Sequence, residues 1–282
     1  MPAHPRVLLI GPGRMGEGVG RILAARGIEV TLVGRGPRTL AVPLRYEVGI
    51  RAELVAASDW ILIATPDSAI AGVAERLRLP GMVESRHVVL HMSAVLDVHA
   101  LSSLRPTGAA LGSFHPLQSV ADPNDAAWRL AGAFAGLEGD ERALVAGREL
   151  ANHLLMEPIR LPAGAKVGYH AAATLVVHIA AVVAVAERIG RQAGIPAEAA
   201  ARMYLPLLAG TVKNIEAAGA AAALTGAVRR GDAATVARHL AALDGSDRTL
   251  YLALAREALE IAREAGLSAD AAAALARILV ER

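Results

Sequence analysis

A lysine and a histidine one helical turn apart are the residues best suited to chemistry. Lys166 and His170 are four positions apart at the start of a helical segment, so their side chains should share one face. Lysine is rare, because Lys166 and Lys213 are the only lysines among 29 lysines and arginines. An ammonium group can neutralise an oxyanion and protonate it, whereas a guanidinium keeps its proton. We therefore predict that Lys166 is catalytic, with His170 orienting the substrate, tuning the lysine or acting as the acid itself.

Each of these residues also has a structural interpretation. Lys166 could be a solvated first-turn lysine, and His170 could be a core residue at a domain contact. Lys213 lies within another helical segment, where an exposed helix lysine is the favoured interpretation. Its neighbour Asn214 is kept as a candidate for substrate binding.

A glycine-rich turn near the N-terminus predicts a dinucleotide site. It fits G-x-G-x-x-G, follows an apolar run directly and precedes a helical pattern directly. The first glycine makes the turn, the second lets the backbone approach a pyrophosphate, and the third allows close helix packing. The residues predicted to bind the cofactor here are Gly11, Pro12, Gly13, Arg14, Met15 and Gly16.

The end of the second strand indicates which dinucleotide binds. An NAD site needs an acid there, roughly 20 residues after the glycines, to hold the ribose 2′-hydroxyl. Here the strand ends in Gly34 and Arg35, so a cation replaces the acid. We predict that Gly34 and Arg35, supported by Arg38, accommodate a 2′-phosphate and that the cofactor is NADP. The alternative is that Arg35 is one of many surface arginines.

Polar residues follow several later strands, where open α/β sheets bind their ligands. Ala64, Thr65 and Pro66 are predicted to run beneath the cofactor. Hydroxyl, imidazole and amide groups after two further strands predict a rim that binds a polar or anionic small molecule. The candidate substrate-binding residues are Ser93, His115 and Gln118, with Ser113 on the same rim.

Structural alternatives stay open for residues in these loops. Ser93 could cap a turn, Asp67 could cap a helix, and His91 could be a core histidine.

The elements that carry these residues form two predicted domains. Apolar runs at 6–10, 29–33, 60–64, 88–91, 109–114, 133–137 and 157–161 alternate with helix-length segments, which predicts an α/β Rossmann domain with a doubly wound, mainly parallel sheet over 1–162. Alanine-rich helical segments follow, so residues 163–282 are predicted to form an all-α domain. The apolar run Ala171–Ala186 is too short to span a bilayer, which predicts a buried helix.

Composition excludes several classes of protein. The absence of cysteine rules out disulfides, thiolate zinc sites and iron–sulfur clusters, and no metal site is predicted. The net charge is only +2, the arginines are scattered, and eight aromatic residues are too few for a base-stacking surface. We therefore expect no nucleic acid partner, no membrane and a cytoplasmic protein.

The chain resembles a family that pairs a Rossmann-like domain with a helical C-terminal domain long labelled as having no known function. That family is related to the pyrroline-carboxylate reductases, ketopantoate reductases and β-hydroxyacid dehydrogenases, and its helical domain is of the 6-phosphogluconate dehydrogenase type. The resemblance implies NADP-linked redox chemistry and a homodimer formed through the helical domains. The segments that carry it are Gly11–Gly16, His91–Ala94, Ser113–Gln118, Lys166–Ala172, Leu224–Gly226 and Arg230–Asp232.

The resemblance supports a catalytic role for Lys166 more directly than for His170. β-Hydroxyacid dehydrogenases carry an asparagine four residues after their lysine, where this chain has His170. The lysine role therefore carries over to Lys166 more directly than the asparagine role carries over to His170.

Three functions follow as hypotheses. The first is NADP-dependent reduction of a small anionic carbonyl compound, a 2-oxo acid of the ketopantoate type, bound in an interdomain cleft under Lys166 and His170. The second is reduction of a cyclic imine of the pyrroline-carboxylate type, since an iminium carries its own charge and needs no strong proton donor. The third is an NADP-binding sensor or scaffold without turnover.

Overall fold

The apolar runs of the N-terminal part form one sheet of eight strands in the computed structural model, which describes residues 4–40 and 44–280. The predicted α/β fold with a mainly parallel sheet and a helical C-terminal part is confirmed. The strands are Val7–Ile10 (β1), Val30–Gly34 (β2), Arg45–Val48 (β3), Trp60–Ile63 (β4), Val88–His91 (β5), Ala110–Pro116 (β6), Phe134–Gly139 (β7) and Glu157–Arg160 (β8).

The strand order is β3-β2-β1-β4-β5-β6-β7-β8, and neighbouring strands are parallel except for β6 and β7. The sequence did not predict β3, because this edge strand is largely exposed and lacks an apolar run. The run 133–137 was placed in the sheet correctly, but nothing local specified that it runs antiparallel to its neighbour.

Helices cover both faces of the sheet. The helices of this part are Arg14–Ala25 (α1), Ala52–Ala56 (α2), Asp67–Leu77 (α3), Ala126–Leu130 (α4), Glu141–His153 (α5) and Lys166–Val177 (α6), with 3-10 helices at Val98–Thr107 and Pro123–Asp125. One hydrophobic cluster joins α1, α4 and α5 to the sheet, and a second joins α2, α3 and the 3-10 helix Val98–Thr107 to it. The polar residues of the candidate site lie on the face of the sheet that this second cluster covers.

The chain divides into two compact units, Met1–Leu175 and Val176–Arg282, whereas the sequence placed the division at 162/163. In the second unit the helices are Ile179–Gln192 (α7), Ala197–Met203 (α8), Leu205–Ala223 (α9), Gly226–Arg229 (α10), Ala233–Ala241 (α11), Gly245–Glu264 (α12) and Ala269–Ile278 (α13). The described core of this unit joins α11, α12 and α13 through leucine, valine and alanine side chains.

One apolar helical stretch departs from its predicted burial. Among the described residues, Lys166–Gln192 is the one helical stretch that is long and apolar enough to cross a membrane by length and composition. The residues of its most apolar part are not buried. The sequence predicted a buried helix over this region, which is wrong for the single chain: Leu175 and Val176 are 72% and 73% exposed. Apolar composition alone specifies that a surface avoids water, and it does not specify which partner covers it.

Two glycines provide a test of the sheet packing. A Cβ at Gly112 in β6 would lie 2.6 Å from the Glu138 carbonyl oxygen and 3.0 Å from Ala143 Cβ, whereas a Cβ at Gly72 in α3 would meet nothing within 4 Å. Gly112→Ala should lower the free energy of unfolding by about 1–3 kcal/mol, as overpacking does. Gly72→Ala should raise it by about 0.5–1 kcal/mol, because alanine is the better helix former. Chemical denaturation of both variants measures this, and equal stabilities would contradict the packing described.

Candidate active site

The glycine turn lies where the strand order of the sheet reverses. β1 lies between β2 and β4, and open α/β sheets bind ligands in the crevice at such a point. Gly11 has φ +115°, and a Cβ on it would lie 2.6 Å from the carbonyl oxygen of Ala64. A Cβ on Gly16 would collide with the Gly11 carbonyl oxygen. Packing within the chain therefore requires glycine at both positions.

Gly13 differs from these two glycines, because the space where its Cβ would lie is open to 4 Å. It is the N-cap of α1 and offers no side-chain cap, so backbone N–H groups at this helix end are free to bind an anion. On the facing loop, the Thr65 hydroxyl is buried and has no hydrogen-bond partner among the described residues. Open space, free N–H groups and an unpaired hydroxyl fit the pyrophosphate of a dinucleotide.

The end of β2 carries glycine where an NAD site has an acid, and it leaves a cation exposed. A Cβ at Gly34 would collide with the Tyr46 hydroxyl, which donates a 2.6 Å hydrogen bond to the Gly36 carbonyl. The Arg35 side chain is exposed, and no hydrogen bond or ion pair to the described residues holds it. Arg35 is thus available for a 2′-phosphate.

Arg38 is already engaged within the chain. Its guanidinium donates to the Pro12 carbonyl oxygen and lies 2.6 Å from the buried carboxylate of Glu17. Arg38 therefore stabilises the glycine turn. A contact of Arg38 with the 2′-phosphate stays a prediction.

Three polar side chains form a row across neighbouring strands of the sheet. His91 at the end of β5 pairs with Ser113 in β6, and Ser113 pairs with Glu138 in β7. Residues in register on adjacent strands point to the same face, so the three side chains lie side by side. All three are buried.

Lys166, the first residue of α6, lies against this row. Its side chain is 1% exposed, and its Nζ donates hydrogen bonds of 2.5 Å to the Ser93 carbonyl oxygen and 3.0 Å to Ser113 Oγ. An ammonium group has three N–H donors, so these bonds leave one for a ligand. The solvated first-turn lysine that the sequence left open as an alternative is excluded.

Burial lowers the pKa of Lys166 to about 8, and the negative charges of Glu138, Asp67 and Asp97 oppose that decrease. The cause is desolvation, which disfavours the charged amine. A pKa near 8 leaves the amine protonated at neutral pH and close to the range in which it releases its proton, as a general acid requires.

His91 has a structural role in the loop after β5. Its Nδ1 accepts a 3.3 Å hydrogen bond from the Ser93 backbone N–H, so its Nε2 donates the 3.0 Å bond to the Asp97 carbonyl. Burial and the nearby Lys166 charge lower its pKa to about 4, which keeps the ring neutral. Ser93 Oγ accepts from the backbone N–H groups of Val95 and Leu96. The loop is thereby fixed so that the Ser93 carbonyl oxygen faces Lys166.

Three aromatic rings, those of His115, Tyr169 and His170, form a cluster near the lysine. Tyr169 Oη is 3.2 Å from His115 Nδ1, and the rings meet edge to face. The ring of His170 approaches His115 at 6.3 Å between centroids, and its own Nδ1 is buried without a partner among the described residues. Burial lowers the pKa of His115 to about 4, with the Lys166 charge contributing, and raises the pKa of Tyr169.

Some of the predicted site residues lie together around Lys166, and others do not. Lys166, Ser93, Ser113, His115 and His170 lie in the first unit around the ends of β5 and β6. Among the described residues Lys166 and His170 share no hydrogen bond, because the lysine reaches the strands while His170 Nε2 lies 3.4 Å from Thr174 Oγ1. The exposed Gln118 accepts from the Ser119 backbone, and Asn214 is exposed on α9 of the second unit. Both stay predictions as substrate contacts.

The sequence reasoning missed two residues of this site. Tyr169 lies inside the Lys166–His170 segment, and a Cβ at Gly136 would meet its hydroxyl at 3.1 Å, so a glycine in β7 makes room for it. Glu138 ends an apolar run. An acid closing a predicted buried strand was the available signal for it.

A mainly parallel sheet with a glycine turn at its switch point defines a dinucleotide-binding protein of the Rossmann type. Residues 6–94 match the family described as NADP oxidoreductase, coenzyme F420-dependent, and residues 133–258 match a domain family described as having no known function, DUF2520. None of the curated proteins matches the sequence. The chain therefore combines a segment similar to NADP-dependent oxidoreductases with a segment similar to DUF2520 domains, and the predicted resemblance, enzyme class and NADP cofactor are confirmed.

Several solved structures share the fold. A protein from Thermotoga maritima is 22% identical, with TM-score 0.71, and the match covers 92% of this chain and 98% of that one. A Bacteroides fragilis protein assigned provisionally as an NADP oxidoreductase is 18% identical, with TM-score 0.68, over 91% and 98% of the two chains. Pyrroline carboxylate reductase from Plasmodium falciparum, solved with NADP bound, is 12% identical, with TM-score 0.57, over 98% and 97%. At these identities the likeness concerns the fold.

Arg35 allows a direct test of the cofactor site. Arg35→Gln should weaken NADPH binding by about 10- to 100-fold, because a hydrogen bond to a charged group contributes about 1.5–3 kcal/mol. NADH binding should change little, since NADH has no 2′-phosphate. Fluorescence titration with both dinucleotides measures this, and Arg26→Gln, at an exposed arginine just after α1, is the control. An equal loss for NADPH and NADH would contradict the assignment.

Proposed function

We propose that this protein uses NADPH to reduce a small anionic carbonyl compound, a 2-oxo acid of the ketopantoate type. The observation that carries the proposal is the buried ammonium of Lys166 at the carboxyl end of the sheet, with one N–H donor unused. The bound cofactor supplies the hydride, and reduction of a carbonyl carbon leaves negative charge on its oxygen. Lys166 neutralises that charge and transfers its proton to the oxygen, so the product is an alcohol.

Neighbouring residues support this role for Lys166. The Ser93 carbonyl and the Ser113 hydroxyl hold the amine in one position, and burial of the amine strengthens the attraction between ammonium and oxyanion. His115 is neutral, and together with Tyr169 it offers hydrogen bonds to a polar substrate without competing for the proton. The buried Nδ1 of His170 has no partner among the described residues, and it is available to a polar group of the substrate.

Lys166→Met should reduce kcat/KM by about 10²- to 10⁴-fold, the usual contribution of a general acid, and leave NADPH affinity within a few fold. Lys166→Arg should be equally impaired, because guanidinium keeps its proton.

In the unsubstituted enzyme kcat/KM should be constant at low pH and fall as the pH rises through about 8, since reduction requires the protonated amine. NADPH oxidation over a panel of oxo acids and cyclic imines measures these effects.

Lys213→Arg is the matched control, because this lysine is exposed within α9 and should be silent. Full activity of Lys166→Met on an oxo acid would remove the lysine from the mechanism. Activity on cyclic imines that survives this substitution would favour the second candidate, an imine reductase. Solved neighbours of the same fold include pyrroline-carboxylate reductases and an imine reductase from Pseudomonas, which is why imines belong in the panel.

We also propose that the protein is a homodimer formed through its helical part. The second unit exposes large apolar side chains on α7, α8 and α9, a patch of a kind that monomers rarely leave uncovered. These side chains include Ile179, Met203, Leu205, Leu207, Val212 and Ile215. A second copy with the same surface would cover them. The cytoplasmic location stays a prediction.

The double substitution Leu207→Glu and Val212→Glu should convert the dimer into a monomer, because it places charges in the apolar interface. Leu254→Glu is the control, at a leucine on α12 that is 47% exposed, against 48% for Val212. Light scattering after size-exclusion chromatography gives the mass. A monomeric unsubstituted chain, or one that co-sediments with lipid vesicles through this surface, would refute the homodimer.

A further inference from the structure

Glu138 is a buried acid that no motif accounts for. It is 9% exposed in β7, and its Oε2 has no hydrogen-bond partner among the described residues. The backbone N–H of Val98 is near enough to the carboxyl to oppose the rise of its pKa. An ionised carboxylate with one unpaired oxygen is costly to bury unless positive charge lies nearby.

The nearest buried positive charge is that of Lys166. Ser113 accepts from the lysine Nζ at 3.0 Å and lies directly opposite Glu138 in the antiparallel pair β6–β7, where facing Cβ atoms are about 4.5–5.5 Å apart. The carboxyl and the ammonium are therefore neighbours on one face of the sheet. Among the described residues neither is hydrogen-bonded to an opposite charge, and Ser113 is the residue that links them.

Other titratable groups surround the pair, and they are weaker candidates for a counter-ion. Asp67 at the start of α3 is exposed, and Asp97 before the 3-10 helix is half-buried. The remaining groups facing the lysine or the carboxyl are imidazoles and a phenol: His91 on β5, His115 on β6, His99 on the 3-10 helix, and Tyr169 and His170 on α6. Glu138 is the one carboxyl near Lys166 that is buried with it.

Glu138 also borders a cavity of about 320 Å³. Arg105, Asp140 and Arg160 line this cavity as well, and the arginines lie near other acids, Arg105 3.0 Å from Asp140 and Arg160 3.7 Å from Glu141. The charge of Lys166 and room for water beside the carboxyl favour its ionised form, although burial raises the pKa of Glu138.

We propose that Glu138 is the buried counter-ion that keeps Lys166 protonated between turnovers, and hence a positioning residue for the reaction. Its negative charge offsets the desolvation of the ammonium, so the acid is in its active form when substrate binds. The charge pairing stands on geometry alone, and its catalytic consequence rests on the proposed role of Lys166.

The two lysines make the test direct. Protein grown with lysine labelled with ¹³C at Cε gives two signals, and Lys213→Arg assigns them. In Glu138→Gln the titration midpoint of Lys166 should move to lower pH by about one unit or more, because loss of a nearby negative charge disfavours the ammonium. Glu141→Gln, at an exposed acid on α5, should leave it unchanged. An unmoved Lys166 midpoint in folded Glu138→Gln would overturn the inference.

A reciprocal measurement covers the case in which Glu138→Gln does not fold. In Lys166→Met with ¹³C-labelled glutamate carboxyls, the midpoint of Glu138 should rise, because the carboxylate has lost its positive neighbour. An unchanged midpoint would overturn the pairing. Both titrations are independent of turnover, so an active Lys166→Met enzyme would refute the proposed function while leaving the pairing intact.

Activity supplies the catalytic readout. In Glu138→Gln the alkaline decrease of kcat/KM should begin at lower pH, in step with the Lys166 midpoint. Glu138→Asp, which keeps the charge, should restore most of that shift. A uniform loss of activity at every pH would indicate a purely structural role and overturn the positioning role.

Discussion

Burial of one ammonium group constrains the whole candidate site. Taking the charge of Lys166 out of water is costly, so its donors need fixed acceptors. The Ser93 carbonyl and the Ser113 hydroxyl provide them. The Ser93 carbonyl is in place because His91 and the hydroxyl of Ser93 itself hold the loop after β5. A neutral His91 is in turn a consequence of the same burial and the same charge.

The cofactor end of the sheet depends on a different constraint, the close approach of backbone to backbone. Gly11 and Gly16 are needed by the chain itself, because side chains there would collide with the loop after β4 or with the turn. Gly13 meets no such obstacle, so its lack of a side chain fits the predicted approach of a pyrophosphate to the turn. The same residue type therefore has two distinct reasons within six positions.

Much of the fold could be predicted because it depends on local patterns. Continuous apolar runs such as 6–10 and 88–91 predict strands, and the glycine turn between strand and helix predicts a cofactor site. Prediction failed where partners were distant in sequence. The exposed edge strand β3 has no apolar signal, and the orientation of β7 is set by its neighbours. The apolar stretch after Ala171 was predicted to be buried, and the single chain leaves it exposed.

By itself the sequence determined the Rossmann class and the NADP cofactor and singled out Lys166 as the candidate chemical group, because glycine spacing, a missing acid and a rare lysine are features of composition and order. Only the tertiary structure decided what surrounds that lysine. Four residues of spacing suggested His170 as its partner, yet Lys166 contacts Ser93 and Ser113, more than 50 positions away in the chain. Glu138 and Tyr169 join it through strand register and a glycine in β7. Register and burial are properties of the assembled sheet, and no local pattern encodes them.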